Sequence, residues 1–174
     1  MTKHVANATE LKVFFDGVRP IECKNQGGCL FFCYTFYLWL EKNGYDDSSY
    51  SIIQYCADWE DTIPQNEAFV KGAKKEAASA NHFTWMYDGK EYDANGLLAK
   101  SNDPLPCDWK HHKFDELMKK HFVEKFCINA LHNGTWNEMF NRNSAMKTIK
   151  DTFGIVIPKS IGIEIDEDTG RVVE

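Results

Sequence analysis

The stretch that decides the fold runs from residue 25 to residue 44, NQGGCLFFCYTFYLWLEKNG. From Cys29 to Lys42 it is apolar on nearly every side, with Gly27 and Gly28 before it and Asn43-Gly44 after it. A glycine just past the last apolar position is the common C-terminal stop of a helix. A helix without a polar face is expected at the centre of its domain, covered by other elements. It is too short to cross a bilayer, and Thr35 interrupts its apolar surface.

On the N-terminal side, residues 1–10 read as a frayed end or short lead-in. Leu11 to Phe15 reads as a short strand or helix closed by the turn signal Asp16-Gly17. On the C-terminal side, Tyr50 to Cys56 reads as a strand and Glu67 to Ala80 as a solvent-facing helix rich in Ala, Lys and Glu. His82 to Ala94, HFTWMYDGKEYDA, places two aromatic, β-prone runs around Asp88-Gly89, the signature of a two-residue hairpin turn. Lys113 to Leu131 and Trp136 to Phe153 read as helices. Ile155 to Ile157 and Ile161 to Ile165 read as strand material, and a turn at Asp168-Thr169-Gly170 folds Arg171 to Val173 back. A buried helix followed by strands predicts an α+β domain, the helix lying on an antiparallel sheet. The 174 residues fit a single domain, with no repeat or long linker.

Composition limits the function classes. Hydrophobic residues are 43% of the chain and aromatics 14%, which indicates a packed core rather than disorder. A net charge of -6 provides no general attraction to nucleic acid or an anionic membrane, so neither is an expected partner. Residues 1–10 lack the apolar run of an export signal, so the expected compartment is the cytoplasm and the six cysteines are expected as free thiols. The sequon Asn133-Gly134-Thr135 carries no meaning in that compartment.

The chemistry-bearing residues are Cys29, His82 and Asp93. Cys29 opens the central helix, where unsatisfied amides and the helix dipole favour negative charge. A thiolate there is the form needed for nucleophilic attack. The same amides are candidate donors to an oxyanion, and Gly28 lets the backbone approach a substrate closely. The competing reading of Cys29 is a small buried side chain, the commonest state of a free cysteine. In the hairpin, a turn at Asp88-Gly89 pairs Tyr87 with Lys90, Thr84 with Asp93 and His82 with Asn95. His82 and Asp93 are then diagonal neighbours on one face, with Cβ atoms about 7 Å apart. A carboxylate bonded to one ring nitrogen would fix the tautomer and leave the other for the thiol. The competing reading is an exposed His on a plain hairpin.

The runs NQGGCLFFCYTF and HFTWMYDGKEYDANG together resemble the core of papain-like and transglutaminase-like cysteine enzymes. In those families a Cys opens a buried helix, and a His and then an Asp or Asn come from successive strands. The resemblance implies Cys29 as nucleophile, His82 as general base and acid, and Asp93 as the group that orients the imidazole. It implies Gln26 as an oxyanion donor, because Asn25-Gln26-Gly27 is similar to the Asn-Gln-Gly of papain-like enzymes, with Gly28 in support. Cys33 is the alternative nucleophile, since papain-like enzymes use the second Cys of their motif. One turn inside the helix it would sit away from the positive helix end, which favours Cys29. The resemblance covers roughly residues 21–96, and residues 97–174 form an extension of unassigned role. In style the chain resembles small proteins of large bacteriophages.

The expected function is a thiol hydrolase or acyl-transfer enzyme acting on a protein or peptide amide bond, without a cofactor. The alternative is a catalytically inactive member of the same fold that binds a partner, such as a phage factor that sequesters a host protein. Cys107, His111, His112 and His121, with Cys127 or His132, form a loose cluster without paired zinc spacing. They read as surface histidines on an amphipathic helix, and no metal is expected. No phosphate-binding or dinucleotide-binding glycine motif is present. Trp39, Trp59, Trp85, Trp109 and Trp136 read as core or as walls of a groove. The acidic loop around Trp59, with Asp58, Glu60 and Asp61, reads as a solvated turn.

Overall fold

The computed structural model describes residues 2–25, 28–56, 63–64, 77–78, 80–98, 110–113 and 140–157. Helix α1 spans Ala8–Val18 and begins in a capping box: the Asn7 side chain accepts from the Glu10 amide, and the Glu10 carboxylate accepts from the Asn7 amide. The lead-in is anchored rather than frayed, because buried Ala6 donates its amide to the Tyr87 hydroxyl at 2.9 Å and the Asp46 amide donates to His4. Asp16-Gly17 does not close this element. The helix runs through Gly17, where an added Cβ would lie 2.3 Å from the Phe153 ring. Gly17 therefore serves helix-to-helix approach, a use that the same dipeptide signal conceals.

Helix α2, Cys29–Asn43, matches the expected central helix and stops at Gly44 in the left-handed region (φ 70°). Eleven of its residues are buried, from Cys29 through Leu40, as an all-round apolar surface requires. Strands follow: β1 Ser51–Cys56, β2 Ile63–Pro64, β3 Ala77–Ala78, β4 Ala80–Tyr87, β5 Lys90–Asp93, β6 Gly96–Leu97 and β7 Lys110–Lys113. Helix α3, Arg142–Phe153, is capped by the Asn141 side chain on the Ser144 amide and ends at Gly154 (φ 65°). Five strands form an antiparallel sheet in the order β6-β5-β4-β1-β7, and β2 pairs with β3 in parallel.

The α+β class and the antiparallel sheet agree with expectation, and several element assignments change. Ala77–Ala78 and Ala80 are in strands rather than in the expected helix over Glu67 to Ala80. Lys113 closes a strand instead of opening a helix. The last helix starts at Arg142, because Asn141 supplies its cap with extended backbone. Ile155 and Ile157 are buried and Val156 exposed, a strand-like alternation, yet residues 154–157 pair with no described strand. The remaining assignments over 99–109, 114–139 and 158–174 lie outside the described residues.

The core sits between α2 and one face of the sheet. Phe36 stacks on Trp85 at 5.0 Å, and Tyr92 stacks against both Trp85 and Phe15. Phe14 of α1 meets Phe36 edge-on and Phe153 of α3 face-on, so the same aromatic cluster joins all three helices to the sheet. Among the described residues, no helix is long and apolar enough to cross a membrane.

Candidate active site

Cys29 is the first residue of α2, preceded by Gly28 as an N-cap without a side-chain bond. Its side chain is buried, at 4% exposure. The sequence leads to a thiol whose acidity is raised, yet burial pushes its pKa up from the ordinary value. Backbone hydrogen bonds of Phe83, Leu30 and Cys29 itself act in the opposite direction, and the Asp93 charge reinforces the rise. Desolvation is the largest of these effects, so the helix end alone does not activate the thiol. The amides expected to line an oxyanion hole are, in this state, turned to the sulfur.

Gly28 is closely packed. A Cβ there would lie 2.6 Å from the Lys24 carbonyl oxygen and 2.9 Å from the Phe140 ring. The close approach recorded there is to the protein's own chain. Phe140 in turn packs on Phe31 and Phe32 of α2. Gln26 lies outside the described residues. Cys33 is fully buried one turn along, and its thiol donates to the Thr84 carbonyl at 3.6 Å. With Cys29, it fastens α2 to β4.

Next to the turn the hairpin register is the expected one, and the recorded β4–β5 pairs stop at Trp85 and Tyr92, short of the expected Thr84–Asp93 and His82–Asn95. Tyr87 pairs with Lys90, Met86 with Glu91 and Trp85 with Tyr92, across a turn with φ 49° at Asp88 and 71° at Gly89. His82 and Asp93 are both buried, at 7% and 5% exposure. Trp85, Tyr87 and Tyr92 face α2, and Thr84 and Glu91 belong to the opposite row. The Thr84 hydroxyl donates to Glu91 at 2.6 Å along that row. The β1–β4 register shifts between Tyr55 and Cys56, beside the Tyr55–His82 pair.

Asp93 reaches the helix side because it ends β5. Its Oδ1 accepts from the Asn95 amide at 2.7 Å, and its Oδ2 accepts from Asn25 Nδ2 at 3.2 Å. Asn25 belongs to the loop leading into α2, so this carboxylate ties that loop to the sheet. Sequence reasoning noticed Asn25 only as part of a motif; no local pattern shows a bond across 68 positions. Lys24 also feels the Asp93 charge, although burial pulls the pKa of its ammonium down. That ammonium donates to the carbonyls of Ile21 and Arg19, closing the end of α1.

His111 and His112 lie in β7, a strand, rather than on an amphipathic helix. His111 is in register with Tyr55, which pairs on its other side with His82. Cys107, His121, Cys127 and His132 lie outside the described residues, as do Trp59, Trp109 and Trp136 and the acidic loop. Trp39 and Trp85 are core residues. No protein-family model matches the chain, and no curated protein or solved structure matches it.

Proposed function

We propose that the chain is a cysteine-nucleophile enzyme of papain-like or transglutaminase-like type that acts on a protein or peptide amide. The observation that carries this reading is the approach of Asp93 to the start of α2: its Oδ2 accepts from Asn25 Nδ2 at 3.2 Å, and its charge acts on the Cys29 thiol. In the proposed reaction Cys29 Sγ attacks the amide carbonyl while its proton passes to His82. The C–N bond then breaks, and the imidazolium gives that proton to the departing amine. The amides of Cys29 and Leu30, released from the sulfur as it bonds to carbon, become donors to the oxyanion, with Gln26 as a further candidate. Water resolves the thioester in a hydrolase and returns the thiol; an amine resolves it in a transferase. The reaction needs no cofactor.

Burial of Cys29 and its raised pKa support a second reading, a catalytically silent binding protein of the same fold that captures a partner protein, for example a phage factor acting on a host protein. One experiment separates the two: the pH dependence of Cys29 alkylation by iodoacetamide, mapped by mass spectrometry in wild type and His82→Ala. Labelling below pH 7 that His82→Ala moves to alkaline pH supports the enzyme. Labelling confined to alkaline pH in both proteins overturns it in favour of the binding protein.

A further inference from the structure

We draw no further inference here: the strongest candidate, the open groove between the N-terminal lead-in, the last turns of α2 and residues 154–157, lined by Lys3, Leu38, Glu41, Lys42, Ile155 and Val156, carries none, because Glu41 offsets its lysines, Lys42 is bonded to the Gly154 carbonyl, and nothing in the structure shows what covers it.

Discussion

Replacing Gly28 by alanine distinguishes a glycine kept for substrate from one kept for packing. The backbone at Gly28 has φ -100° and ψ -1°, so an L-residue meets no backbone strain there. The added methyl instead falls 2.6 Å from the Lys24 carbonyl and 2.9 Å from two carbons of the Phe140 ring. The ring has little room to move, because it packs on Phe31 at 5.4 Å and Phe32 at 5.8 Å, measured between ring centroids. Inserting one methyl into such a site costs about 1–3 kcal/mol. For a domain of this length that corresponds to about 2–12 °C in Tm. The assay is thermal and urea unfolding of wild type, Gly28→Ala, Phe140→Leu and the double variant. Phe140→Leu opens space beside the methyl, so the double variant is expected to lose less than the sum of the single changes. The rescue is incomplete, since the contact with the Lys24 carbonyl is to backbone. A Gly28→Ala protein within about 0.5 kcal/mol of wild type would refute the packing account and restore the glycine to substrate approach.

Asp93→Asn is expected to shift the pH profile of Cys29 alkylation downward, because the Asp93 charge raises the thiol pKa; an upward shift would mean that its main effect runs through His82. Stability is expected to fall as pH rises from about 8.5, where an unfolded thiol begins to ionise. The sign follows from folded-state pKa values raised by burial at Cys29, Tyr87 and Tyr92: the unfolded chain releases these protons first and alkali favours it. Urea melts from pH 7 to 10 check this, and a flat or rising profile contradicts it. Asn7→Ala removes the acceptor half of the α1 capping box and is expected to cost about 1 kcal/mol in the same melts. An unchanged midpoint would show that the Tyr87 and His4 backbone anchors hold this helix without its cap.

Several features were legible in the residues alone. The extent of α2 was readable because a 12-residue run, Cys29 to Leu40, that is apolar but for Thr35 and lies between Gly28 and Gly44 has one economical solution, a buried helix. The β4–β5 register beside the turn was readable because Asp88-Gly89 accepts two consecutive left-handed residues, which sets the pairs from Tyr87–Lys90 to Trp85–Tyr92. Both are local properties, settled within a few residues of chain. Gly17 was misread, and the packing at Gly28 was invisible, for the opposite reason: a glycine's freedom is visible locally, but the Phe153 and Phe140 rings beside these two come from the far end of the chain.

The sequence by itself determined the α+β class, the central helix, the hairpin and the placing of Cys29 at a helix start. Tertiary structure alone decided on which side of the sheet the helix lies, and so which row of β4 side chains meets it. It also decided that Asp93 is shared with Asn25, and that Cys29 is buried deeply enough for desolvation to outweigh the helix amides. These outcomes depend on burial and on contacts between distant segments. Periodicity specifies which residues share a face, whereas long-range packing specifies what each face meets.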